Sequence, residues 1–123
     1  MNIQPIPPNP PTFGYHNILK TLYKKGKLSV DYGFYGDRLT KKNVTLEHLL
    51  PISKGGKTEL SNLVLSSANK NQERGVRPLS EMLQWDCVGK YLEQFRNVKI
   101  KDFDGNDYIQ KILKTINKLL GES

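Results

Sequence analysis

Residues 46–75 read Leu-Glu-His-Leu-Leu-Pro-Ile-Ser-Lys-Gly-Gly-Lys-Thr-Glu-Leu-Ser-Asn-Leu-Val-Leu-Ser-Ser-Ala-Asn-Lys-Asn-Gln-Glu-Arg-Gly. An acid and a histidine stand side by side, Glu47-His48. Pro51 and Gly55-Gly56 follow, then Asn62-Leu63, then Asn71 ahead of Arg74-Gly75. The stretch carries a candidate general base, two candidate oxygen ligands for a metal, and a turn able to fold them together. Hydrolysis of a phosphodiester needs those groups.

The local structure around them follows from pattern. Val44 to Leu50 reads as a strand with Glu47 and His48 at its end. Ile52 to Ser61 is a loop around Gly55-Gly56, where φ > 0 is accessible. Leu63 and Leu65 belong to a short second strand. Ser67 to Arg74 suits a short polar helix stopped by Gly75. Upstream, Tyr15, Ile18, Leu19, Leu22 and Tyr23 recur at helical spacing, with Gly26 as the stop. Residues 28–39 set Gly33 and Gly36 among Val30, Tyr32, Phe34 and Tyr35, the pattern of an irregular hairpin or knuckle. Downstream, Leu79, Met82, Leu83, Val88, Tyr91, Leu92 and Phe95 mark one helix over about 79–96. Ile109, Ile112, Leu113, Ile116, Leu119 and Leu120 mark another over about 107–120, with Asn106 as N-cap and Gly121 as stop. Asp104-Gly105 reads as a turn between them. The expected division is an N-terminal arm 1–13, a core 14–78 and a helical extension 79–123 that packs on the core.

The whole chain sets bounds. Its 123 residues suit one domain, and 37% hydrophobic with 25% charged residues permits a modest core. The net charge of +7 is compatible with a polyanionic partner. Cys87 is the single cysteine, so no intrachain disulfide forms, and a reducing, cytoplasmic setting is expected. Met1 to Pro11 holds five prolines and no basic residue, unlike a signal peptide. No apolar run is long enough to span a bilayer, so no membrane partner is expected.

Residues 22–78 resemble the HNH endonuclease family. The likeness rests on Glu-His-x-x-Pro, Gly-Gly, Asn-Leu and Asn-x-x-Arg-Gly, in the family's order. It implies an α+β fold, a ββα-metal core with a leading helix and two C-terminal helices. By the same resemblance His48 is the general base, suited by its ordinary pKa of about 6.5. Glu47, where many relatives carry Asp, is a metal ligand. It would face away from His48 on a regular strand, and the family meets this by bending the chain. Asn71 is the second ligand, in a register that Arg74-Gly75 favours over Asn69 or Gln72. Asn62 holds the loop and orients the histidine. Lys54, Lys57, Arg74 and Arg77 are expected on phosphates, where contacts position without reading sequence.

Oxygen ligands favour Mg²⁺ or Mn²⁺ over softer ions. Many relatives also carry two Cys-x-x-Cys pairs that hold zinc. Here those positions are Tyr32, Tyr35, Ser67 and Lys70, so no structural zinc is expected. Tyr32, Phe34 and Tyr35 are expected to fill its place. The resulting expectation is a metal-dependent endonuclease that nicks one strand of DNA per site. The alternatives are an RNase using the same site, and a catalytically silent nucleic-acid-binding or protein-interaction module. The C-terminal helices are the expected docking surface for any protein partner.

Overall fold

The computed structural model describes residues 18–121. The proline-rich arm, Tyr15 and His16 lie outside the described residues. Helix α1 (Ile18–Lys24) lays Leu19 into the core. Strands β1 (Val44–His48) and β2 (Leu63–Ser67) pair antiparallel, Glu47 opposite Val64 and His48 opposite Leu63. Helix α2 (Ala68–Arg74) leaves β2 with no linker. Ser67 caps it, its Oγ accepting from the Lys70 amide at 3.2 Å, and the Gly75 amide closes it on Asn71 O. These elements form the α+β architecture and the ββα core expected from the sequence. β1 is two residues shorter than the sequence pattern extends, because the Leu50 amide turns to the Asn62 side chain.

Every residue of β2 is buried, yet its sheet has only two strands. Buried backbone groups on the open edge must find other partners. Tyr91 Oη accepts from Leu65 N at 2.9 Å, and Tyr108 Oη donates to Leu63 O at 2.7 Å. Phe34 N donates to Leu65 O, and Ser67 N donates to Asp37 Oδ2. Burial pushes the Tyr91 and Tyr108 phenols well above their ordinary value, so both stay hydroxyls at neutral pH. Residues outside the ββα unit thus replace a third strand.

The helical extension differs from the sequence reading in three places. Residues 79–96 form two helices, α3 (Leu79–Met82) and α4 (Trp85–Glu93), with Leu83 and Gln84 extended between them. The cause is phase. At about 100° per residue, Leu79, Met82 and Leu83 point one way. Val88, Tyr91, Leu92 and Phe95 point the opposite way. Only a break lets both groups reach the core. Next, the chain reverses at Lys101-Asp102, between β3 (Lys99–Ile100) and β4 (Phe103–Asp104), and Asp102 has φ 68°. Asp104-Gly105 is not the turn, because Gly105 already starts α5 (Gly105–Gly121). Finally, Asp104 rather than Asn106 caps that helix, accepting from Asp107 N at 3.1 Å. Asn106 instead accepts from the Asn97 amide at 2.9 Å, where φ is 60°.

The residues 28–39 are a knuckle closed by a Tyr32–Arg38 bridge. Gln94, at the end of α4, holds it from 62 residues away. Its Oε1 accepts from the Asp31 and Tyr32 amides, and its Nε2 donates to Tyr32 O. Phe34 and Tyr35 are buried and meet edge to face with centroids 5.1 Å apart. Tyr32 is only half-buried, and Lys90 Nζ lies 4.3 Å from its ring centroid. Among the described residues, no helix is long and apolar enough to cross a membrane.

The expectation of no structural zinc in the knuckle has a measurable consequence. The knuckle is fastened by hydrogen bonds of Gln94, Asp37 and Phe34 and by the burial of Phe34 and Tyr35. A strong chelator should therefore leave the melting curve unchanged, and elemental analysis should find no stoichiometric zinc. Zinc that cannot be removed without unfolding would overturn this.

Candidate active site

β1 delivers Glu47 and His48 to the site on consecutive positions. Both pair in register with β2, so no bend separates them. Their side chains therefore meet different partners. Glu47 is 5% exposed, and its Oε2 accepts from Tyr35 Oη at 2.6 Å and Arg74 Nη1 at 3.1 Å. His48 is half-buried, with Nε2 2.9 Å from Thr58 Oγ1. Burial lowers the imidazole pKa below 6.5, and the Glu47 charge opposes that shift without cancelling it. The ring is therefore mostly neutral at pH 7, the form that accepts a proton.

The expected phosphate contact at Arg74 does not hold. Arg74 is 1% exposed. Besides Glu47, its guanidinium donates to His48 O at 2.9 Å, Leu49 O at 2.7 Å and Arg77 O at 2.9 Å. It is a buried clamp joining α2 to the end of β1. Its apparent suitability for phosphate came from charge alone, and tertiary packing has spent that charge on a carboxylate and carbonyls. Lys54, Lys57 and Arg77 are exposed.

Asn71 lies one helical turn before Arg74 and faces the same strand. Its Nδ2 donates to Thr45 Oγ1 and Leu46 O, each at 3.2 Å. Among the described residues no donor reaches Asn71 Oδ1 or Glu47 Oε1. Among them, too, no three or more His, Cys, Asp or Glu side chains cluster to hold a metal. The two ligands expected from the sequence thus offer one carboxylate oxygen and one amide oxygen. That set fits a hard cation that keeps most of its waters, and it lacks the thiolate or imidazole cluster of a zinc site.

Asn62 organises the loop between the strands. It is buried, and its Oδ1 accepts from Leu50 N at 2.9 Å. Its Nδ2 donates to Leu50 O at 3.0 Å and Lys57 O at 2.9 Å. It makes no bond to the His48 ring. Its bonds instead hold the loop that carries Thr58, which does touch the ring. Gly55 has φ 94°, so a left-handed turn is needed there. Gly56 is required for a different reason. A Cβ there would sit 1.7 Å from Leu50 O, so only glycine lets the loop close on the end of β1. Thr58 escaped the sequence reading. The available signal was a hydroxyl two residues beyond the Gly-Gly turn, in a loop that had to fold back toward His48.

The order of these parts along the chain is shared with a known family over part of its length. Residues 35–77 match the HNH endonuclease family. The HNH segment begins at Tyr35, the partner of Glu47, and ends at Arg77, whose carbonyl holds Arg74. It contains both strands, the Asn62 loop and α2, and is narrower than the span 22–78 over which the sequence resembles the family. The match supports nuclease-type activity in general and nucleic acid as the class of substrate. No curated protein and no solved structure gives a significant match to the chain.

Proposed function

We propose that the protein is a metal-dependent HNH endonuclease that hydrolyses DNA and cuts one strand at each visit to the site. The observation that carries this is His48, kept neutral by partial burial and held through Nε2 by Thr58 Oγ1 at 2.9 Å. In the tautomer whose Nε2–H donates to Thr58 Oγ1, the lone pair on Nδ1 is the base. It takes the proton from the water that attacks the phosphorus. A neutral base near physiological pH contributes roughly 10²–10⁴ in rate.

Glu47 and Asn71 are the residues that would hold the cation. When bound, a divalent cation supplies charge stabilisation on the scissile phosphate and on the leaving 3′-oxygen. Arg74 fixes the other Glu47 oxygen and grips the His48 and Leu49 carbonyls, so the end of β1 cannot fray. Asn62 keeps the Thr58 loop against that end. Lys54, Lys57 and Arg77 are exposed donors for the phosphate backbone. One base and one ligand pair make one cutting centre, which is why nicking is expected from a single chain.

Supercoiled plasmid tests this directly. Nicked circles should accumulate with Mg²⁺ or Mn²⁺ and not in chelator, and a labelled RNA should survive the same conditions. Asn71→Ala should slow the reaction, and raised Mg²⁺ should recover part of the rate. Asn69→Ala should be mild, because its side chain is exposed and makes no hydrogen bond to the strand among the described residues. If Asn69→Ala is the severe variant, the ligand assignment is wrong. Efficient RNA cleavage would favour the RNase reading. Binding without any cleavage would favour the silent module.

A further inference from the structure

A groove along α5 lies off the face that Tyr108, Ile112 and Ile116 bury. It is lined by Glu59 and Ser61 from the loop and by Lys111, Lys114 and Lys118 from the helix. The lysines stand at i, i+3 and i+7, a single stripe on a helix. Past Thr115 and Lys118 the groove reaches Gly55, Gly56 and Lys57. Thr115 Oγ1 donates to Ser61 O at 2.7 Å, which ties α5 to the loop. That loop carries Thr58, the partner of His48, and Lys57, whose carbonyl Asn62 holds. The stripe is therefore set in place relative to His48 by hydrogen bonds.

We propose that this lysine stripe is a second contact for the DNA backbone, engaged by duplex that extends beyond the scissile phosphate. The proposal rests on the nuclease reading above. Lys111 is paired with Asp107 at 3.1 Å, and Glu59 adds a negative charge to the groove. Lys114 and Lys118 have no carboxylate at ion-pair distance among the described residues. The groove thus keeps an excess of positive charge at its Lys57 end. Seven residues of helix span about 10 Å. Over such a length a duplex presents several backbone charges, about one per 1.7 Å of its axis with both strands counted. A linear polyanion fits such a row better than a compact acidic patch does, and the row is continuous with the loop beside His48.

Binding of a labelled linear duplex, measured by fluorescence anisotropy without divalent cations across a salt series, decides the matter. Removing two phosphate contacts in the Lys114→Gln, Lys118→Gln double variant should flatten the slope of log K against log salt by about 1.8. Arginine at the same two positions should restore the wild-type slope. A control, Lys41→Gln with Lys42→Gln at the far end of β1 from His48, should leave it unchanged. If wild type binds and the Lys114/Lys118 variant keeps the full slope, this proposal falls and the nuclease reading stands. The same holds if the control flattens the slope equally, or if arginine fails to restore it. Wild type that does not bind DNA at all overturns both.

Discussion

Replacing His48 by alanine should lower cleavage at least about 10²-fold, the smaller effect typical of losing a positioned base. Folding and DNA binding should be largely retained. His48 is half-buried and makes one side-chain hydrogen bond, to Thr58, so little of the structure depends on its ring. The wild-type pH profile supplies a second readout. Burial holds the imidazole below its ordinary 6.5, and the neutral form is the competent one. The rate should therefore rise with pH through an inflection below 6.5 and be level at pH 7, as far as His48 sets it. In His48→Ala that acid limb should vanish from any residual activity. An alanine variant that cuts near the wild-type rate would falsify the assignment of His48 as base.

The second large effect is on stability. Arg74→Met should cost about 3–5 kcal/mol, the range for removing one partner of a buried ion pair. Against a total of about 5–15 kcal/mol for an ordinary domain, that is a large share. The reason is what remains behind. Glu47 would stay buried without its guanidinium, and the His48 and Leu49 carbonyls would lose their donors. Adding Glu47→Gln to Arg74→Met should then recover part of the loss, because the unpaired charge is gone. Denaturant midpoints of the two single variants and the double variant measure this coupling. An Arg74→Met protein as stable as wild type but weaker on DNA would restore the phosphate-contact reading and sink the clamp.

The two results separate kinds of legibility. Asn62 was singled out only by the family resemblance, whereas Glu47-His48 at a strand end, the Gly-Gly loop and the Ser67-to-Gly75 helix were readable from local pattern. Each depends on nearest neighbours: alternation along a strand, a cap and a stop on a helix, a left-handed turn at glycine. The ββα order follows from those parts in sequence. The identity of a charged residue's partner has no such local signature. Arg74, Lys54 and Arg77 look alike in the sequence. Only burial against β1 distinguishes the clamp from the exposed pair.

Long-range satisfaction of polar groups was equally hidden. Nothing local says that Tyr91 and Tyr108 complete the open edge of β2, or that Gln94 closes a knuckle 62 residues upstream. The break at Leu83-Gln84 is an intermediate case. The phase conflict is present in the positions of Leu79, Met82 and Leu83 against Val88, Tyr91 and Leu92, but helical spacing within each group is what local pattern shows most strongly. By itself, then, the sequence determined the α+β class, the family motif and the local geometry of its parts. The tertiary structure decided which polar groups meet. Hydrogen bonds and ion pairs between distant segments depend on where packing brings the chain together, and that is set by the whole core at once.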